Sequence, residues 1–322
     1  MNLTYISVRE REDLVCNYQI AFMEKSFLRA GVPSRRAQKT GLGEFFAKII
    51  AQSKLRPYRI KRSTEIYIVP AHGLAKYLAW PVCLWGECVP VVFDCWPDRY
   101  REWGWFFRSY DIKLAFLSAR AAVTYFQSRI PETEFLWCPE CTDPTVYDRG
   151  PELSVRTNDI VEMGRMHEEY HRRIRPATDA CSFIHLHPTY RGEKIFSTSQ
   201  QCLIQGLAQT KVMVCFPASM MDQRKASVET VTHRYFEALA SRCLLIGHAP
   251  AELIDLFGYN PVIEVDWLEP DSQLKKILQN INDYQGFVDQ NYKRFLRVGT
   301  CDKRVAFILA ELDRRGWIPT RR

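Results

Sequence analysis

The chain has 322 residues, 47% of them hydrophobic and 25% charged, with a net charge of +7. This is long enough for two domains and is an ordinary composition for a globular protein. No apolar run approaches the length of a membrane-spanning helix, and the N-terminal MNLTYISVREREDL lacks a signal-peptide core, so a cytoplasmic chain is expected. The eleven cysteines are an odd, scattered count, often inside apolar runs as at Cys215 and Cys243. They speak for reduced, buried thiols rather than a disulfide framework.

The charge is local. Between Ser34 and Arg62 nine basic residues stand against Glu44 alone, a net +8, so the rest of the chain is close to neutral. Such a patch suits a membrane surface, a phosphate-bearing ligand or nucleic acid, or is simply a solvated face. No nucleic-acid fold motif accompanies it, and nucleic acid is not expected.

Leu3 to Ser7 predicts an opening strand, and Asp13 to Ala30 has helical periodicity. Gly43 to Gln52 is an amphipathic helical run with Lys48 and Lys54 beside it. A helix of that kind packs on a core or lies on a membrane surface. Glu65 to Pro70, Val89 to Phe93, Leu114 to Ser118 and Glu134 to Trp137 read as buried strands separated by helical stretches. That alternation indicates an open, mostly parallel α/β sheet.

Residues just past the strand ends of such a sheet point into its ligand crevice. His72, Asp94 and Asp98 are candidates there. His72 beside Gly73 also reads as a turn residue, Asp94 as a helix cap, and Trp96, Trp103 and Trp105 as core. Cys138-Pro139-Glu140-Cys141 is a lone CxxC, short of the four ligands a structural zinc needs.

In the second half Ile160 to Met163 is a strand running into Gly164-Arg165, Ser182 to Leu186 another, and Leu203 to Ala208 a helix. The strand Val212 to Phe216 is followed by a polar loop with Arg224, Lys225 and Ser227, then by Glu229 and Glu237, separated by seven residues, at the start of a helix-like run. The strand Cys243 to Ile246 closes a βαβ unit before His248 and Glu252. Both glutamates therefore sit near a helix N-terminus at the carboxyl end of a parallel sheet, at different depths. A carboxylate such as Glu237 can accept from both hydroxyls of a ribose, and Glu229 could hold donor-sugar hydroxyls or oppose positive charge at an anomeric carbon. Asp255 to Val265 brings the last strand, and amphipathic helices over Gln273–Asn282, Gln285–Arg297 and Thr300–Arg315 complete the chain.

The stretch Ser227 to Glu252 resembles the donor-binding motif of the group-1 glycosyltransferases of GT-B fold, the superfamily that includes glycogen synthases. The matching positions are Ser227, Glu229, Glu237-Ala238, Ala240, the strand Cys243 to Ile246, and Glu252; His248-Ala249 replaces the family's glycine pair. Gly164-Arg165 is similar to the opening of the family's second domain, where the arginine faces the donor diphosphate. The family's nearby lysine has no counterpart.

The resemblance implies two Rossmann-like domains facing each other across a cleft. An acceptor domain would span residues 1–145, a linker 146–157, a nucleotide-sugar domain 158–297, and a helix crossing back to the first domain 298–322. It implies transfer of a hexose from a nucleotide-sugar co-substrate to an acceptor hydroxyl, with retention, in glycan biosynthesis and with no other cofactor. Glu229, Asp94 and His72 would be catalytic. Glu237, Arg165, Arg224, Lys225, Ser227, His248 and Glu252 would bind the donor. No Asp-x-Asp occurs, so a metal-independent enzyme with no metal site is expected. The basic segment suggests a lipid-linked or phosphate-bearing acceptor and peripheral membrane contact. A sugar-nucleotide epimerase and a non-catalytic sugar-nucleotide or polyanion-binding protein are the alternatives.

Overall fold

The computed structural model describes residues 2–7, 18–36, 45, 65–71, 82–164, 166–189, 193, 195–196, 199–221 and 228–318. Of the basic segment only residues 34–36 and 45 fall within it, and the helix expected over Gly43–Gln52 otherwise lies outside the described residues. The chain divides into two compact units, Met1–Glu140 with Cys301–Arg322, and Cys141–Thr300.

In the first unit β1 (Asn2–Ser7), β2 (Ser34–Arg36), β3 (Glu65–Ala71), β4 (Glu87–Val92), β5 (Leu114–Leu117) and β6 (Glu134–Trp137) form a parallel sheet in the order β2-β1-β3-β4-β5-β6. A parallel sheet is covered on both faces, so its strands are apolar residue after residue rather than alternately. Ile66 to Ala71 and Leu114 to Leu117 are accordingly all buried.

Helices α1 (Tyr18–Arg29), α2 (Tyr100–Ser109) and α3 (Arg120–Gln127) complete the layers. The α2 helix buries an aromatic stripe: Phe107 meets Phe126 and Phe135 edge-on at 5.1 and 5.0 Å. Trp103 is wholly buried in that cluster. The C-terminal helix, Cys301–Arg314, packs on this unit too. Its Phe307 lies edge-on to Phe116 at 5.8 Å, and Asp302 pairs with Arg29 at 2.7 Å.

The second unit has β7 (Asn158–Glu162), β8 (His185–Leu186), β9 (Thr210–Cys215), β10 (Leu244–Gly247) and β11 (Ile263–Glu264), again all parallel, in the order β11-β10-β9-β7-β8. Both units are Rossmann-like. In the second, the chain steps outward from β7 to β8, returns to β9 on the other side, and continues away. The topological switch point therefore lies between β7 and β9, where ligands of open α/β sheets bind. One rung of the ladder near its carboxyl edge runs Glu162, Val214, Ile246, Ile263.

The helices are α4 (Glu168–Ala180), α5 (Gln200–Ala208), α6 (His233–Ala240), α7 (Ala251–Phe257), α8 (Pro270–Gln279) and α9 (Gln285–Val298). The α4 helix is mostly polar and contains Pro176, yet it buries Tyr170, Ile174 and Thr178, an i, i+4, i+8 stripe against the core. Among the described residues no helix is long and apolar enough to cross a membrane.

Candidate active site

Helix α6 carries Glu237, the second of the two glutamates. Residues Tyr235 to Ala240 are all buried, and Glu237 is 3% exposed among them. A carboxylate there needs partners, because burying an uncompensated charge costs several kcal/mol. Its Oε1 accepts a hydrogen bond from the Tyr147 hydroxyl at 3.0 Å and faces His233 Nε2 at 3.4 Å. His233, one turn earlier on the same face, is oriented by its Nδ1 contact to the Cys141 carbonyl at 3.0 Å. Burial opposes ionisation of Glu237, but the charge and hydrogen bond of His233, the Tyr147 hydroxyl and the charge of Arg234 outweigh it. The carboxyl is held below its ordinary range.

Arg234 was not among the residues the sequence singled out. A Cβ placed on Gly164, which has φ +77°, would come within 2.6 Å of its guanidinium. The guanidinium thus lies against the turn that follows β7, at the switch point, on the helix face that bears Glu237 three residues later. The signal was available: Arg234 stands inside the interval between the two glutamates.

Glu229 belongs to a second, exposed cluster in the loop before α6. Its Oε1 accepts from the Ala251 amide at 3.1 Å, and its Oε2 faces His248 Nε2 at 3.3 Å. His248 Nδ1 is 2.9 Å from Glu264, whose other oxygen accepts from the amide of Ala249 and from Asn260, both at 2.9 Å. The loop that delivers His248 begins at Gly247, where φ is +145° and any Cβ would collide with the Cys215 carbonyl. Only glycine suits that place.

Glu252, 5% exposed in the first turn of α7, accepts from the Thr230 hydroxyl at 2.7 Å and the Val231 amide at 3.1 Å. It ties down the loop between Glu229 and α6. Thus the hydrogen bonds place Glu229 with His248 and Glu264, and Glu237 with Tyr147 and His233, at different depths of one unit.

In the first unit Asp94 follows β4 with φ +53°, a left-handed conformation that Asp tolerates better than most residues. The N-cap residues of the two following helices, Trp96 before Pro97–Arg99 and Arg99 before α2, make no side-chain cap hydrogen bond. His72, Arg165, Arg224, Lys225 and Ser227 lie outside the described residues. Among the described residues, the one group with metal-binding spacing is Glu162, His171 and His185.

No protein-family model matches the sequence, and no curated protein matches it. Solved structures do match in fold. A sucrose-phosphate synthase from Thermosynechococcus elongatus superposes with a TM-score of 0.58 at 10% identity over 98% of each chain. An alpha-glucosyltransferase in complex with UDP and a 13-mer DNA gives 0.58 at 9% identity over 96% of this chain and 98% of that one. Anabaena HepE in complex with UDP gives 0.53 at 8% identity over 97% and 100%. The likeness is one of architecture: two parallel-sheet Rossmann-like units in one chain, the GT-B fold.

Proposed function

We propose that this chain is a glycosyltransferase that moves a hexosyl group from a nucleotide sugar to an acceptor hydroxyl, with retention and without a cation on the diphosphate. The observation that carries the reading is the switch point of the second sheet. There the Arg234 guanidinium lies against the Gly164 turn, and the buried carboxylate of Glu237 sits one helical turn on. A cation for a diphosphate and an ionised acceptor for a ribose are the two groups a nucleotide needs at the carboxyl edge of such a sheet. The alpha-glucosyltransferase and HepE are recorded with UDP, which supports a nucleoside-diphosphate donor.

Glu237 Oε1 is engaged by Tyr147 and His233, and Oε2 is the oxygen we assign to the ribose. Glu229, held by Ala251 and His248, is assigned to the donor sugar; Glu252 positions the Glu229 loop. Arg234 joins Arg165, Arg224 and Lys225 on the diphosphate, and Ser227 belongs to the same loop. In the transfer, the bond from the anomeric carbon to the diphosphate oxygen breaks with its electron pair leaving on the diphosphate. The acceptor oxygen attacks from the same face, and its proton passes to the departing phosphate oxygen. Cations fixed on the diphosphate stabilise the negative charge that builds there. Asp94 and His72 are assigned to the acceptor side. The basic segment 34–62, of which Arg35 and Arg36 are exposed on β2, is assigned to a phosphate-bearing or lipid-linked acceptor at a cytoplasmic membrane face.

Calorimetric titration of the full chain with UDP, GDP, ADP, CMP and dTDP tests the donor assignment. One nucleotide family should bind, and Glu237→Gln should weaken it at least about tenfold, the worth of one charged hydrogen bond. Arg234→Met should do the same for the diphosphate but not for the nucleoside. Absence of binding by every nucleotide at millimolar concentration would sink the proposal. The anomeric configuration of the product sugar, read by NMR, decides retention.

A further inference from the structure

We propose that Glu162, His171, His185 and His187 form a binding site for a divalent transition metal of the zinc class, built into the second unit beside the switch point. Glu162 ends β7 and is 2% exposed. Its Oε1 lies 2.6 Å from His171 Nδ1, in the first half of α4, and 2.8 Å from His185 Nε2, on β8. These three ligand atoms lie within 4.8 Å of one another. The His187 ring stands 4.5 Å from that of His171 and 4.9 Å from that of His185, with its Nδ1 3.2 Å from the Pro188 carbonyl, and is the fourth ligand of the proposed site. Of seven histidines in the chain, three converge here. The pairing of β7 with β8, Ile160 opposite His185, brings His185 to the buried glutamate, and α4 brings His171.

The cluster is incomplete as a set of protein hydrogen bonds. Both imidazoles contact Oε1, while Glu162 Oε2 is buried without a partner. A buried carboxylate oxygen left unsatisfied is costly, and a cation bridging the carboxylate and the ring nitrogens removes that cost. The donor set selects the metal. Imidazole nitrogens with one carboxylate suit Zn²⁺ or a neighbouring first-row ion, whereas Ca²⁺ and Mg²⁺ require sets of oxygens. No thiol belongs to the group.

The sequence His167-Glu168-Glu169-Tyr170-His171 has the spacing of a zinc-protease helix, but the structure assigns it differently. That motif needs both histidines on one helical face. Here His167 lies before the helix, accepts from the Tyr170 amide at 3.3 Å, and packs on Phe216 and Trp267 at 4.6 and 5.1 Å. Only His171 reaches Glu162. The metal would therefore clamp β7, β8 and α4 together two residues before the Gly164 turn. Two strand spacings, about 10 Å of sheet, separate Glu162 from Ile246 on the same rung. Nothing in the proposal requires the metal to touch a diphosphate, so it stands or falls apart from the donor reading.

The test is titration of chelator-treated, full-length protein with Co²⁺, followed by displacement with Zn²⁺. One Co²⁺ per chain is expected, with ligand-field bands of a nitrogen–oxygen site and no thiolate charge-transfer band. His171→Ala and His185→Ala should each weaken binding at least about 100-fold, more than loss of a supporting outer group costs; His187→Ala should weaken it too. Because a variant could misfold, carbethoxylation of the wild-type protein with mass-spectrometric readout is run in parallel. Zn²⁺ should protect His171 and His185 and leave the reactivity of the partly exposed His248 unchanged. Failure to bind Co²⁺ stoichiometrically, a thiolate spectrum, even protection of all histidines, or unchanged affinity in the folded variants would each overturn the site.

Discussion

Replacing Arg156 with methionine should strip the second unit of much of its stability while leaving its ligand edge alone. The side chain is 3% exposed and, among the described residues, hydrogen-bonds no carboxylate. Its guanidinium instead donates to four backbone carbonyls: Pro151 at 3.0 Å, Thr210 at 2.7 Å, Ser241 at 3.1 Å and Arg149 at 2.8 Å. These carbonyls come from the entry to β7, the start of β9 and the end of α6, so one side chain fastens the amino edge of the sheet.

Four charge-assisted bonds are worth roughly 6–12 kcal/mol gross at about 1.5–3 each, and desolvating the charge offsets several of these. Truncation also orphans acceptors that were paired, so a loss of about 3–5 kcal/mol is expected, as for breaking a buried ion pair. For a unit of this size that lowers the melting temperature by roughly 6–20 °C. Differential scanning calorimetry of wild type and Arg156→Met measures it, with nucleotide titration well below the transition as the control. Arg156→Lys should recover only part of the loss, since an ammonium cannot span four acceptors in a plane. A loss below about 1 kcal/mol for the methionine variant would refute the fastening role.

Three further expectations are simpler. Gly247→Ala combines a forbidden φ with a collision against the Cys215 carbonyl, and should cost more than about 2 kcal/mol in a chemical denaturation series; a shift within experimental error would show that the β9–β10 edge yields easily. The thiols of Cys215 and Cys243 are buried, and burial pushes their pKa values up to about 12 and about 11. Among the described cysteines, an alkylating agent under native conditions should mark the partly exposed Cys181 and Cys202 first and leave Cys215 and Cys243 untouched until unfolding. Early labelling of Cys243 would contradict the packing. Finally, Glu237 has a folded-state pKa below its unfolded value. Its contribution to stability is therefore full above the unfolded value of 4.5 and is lost as pH falls through the folded value. Melting curves from pH 6 downward should fall more steeply for wild type than for Glu237→Gln, and parallel curves would show the pair contributes nothing.

What could be read from the sequence and what could not follows from the range of the interactions. The buried strands were legible because a parallel sheet covered on both faces makes each strand a short apolar run, as at Ile66–Ala71, Leu114–Leu117 and Val212–Cys215. The α4 helix was missed because its polar face dominates and Pro176 signals a break, although Tyr170, Ile174 and Thr178 already kept the helical period. The α2 helix was hidden by its abundance of aromatics, which obscures any polar face. At the site, the two glutamates could be seen by spacing, and Arg234 with them. Their opposite environments could not. Glu237 is buried because every neighbour on α6 is, and its partner Tyr147 stands 90 residues away. The histidine cluster shows the same limit more sharply. His171 and His185 are an ordinary scatter until the packing of α4 and the register of β7 against β8 place them on one carboxylate. Register is set by the packing of whole faces and not by any local residue. Chemistry assembled across strands therefore becomes visible only once the sheet is ordered, whereas chemistry carried on one loop and one helix can be read directly.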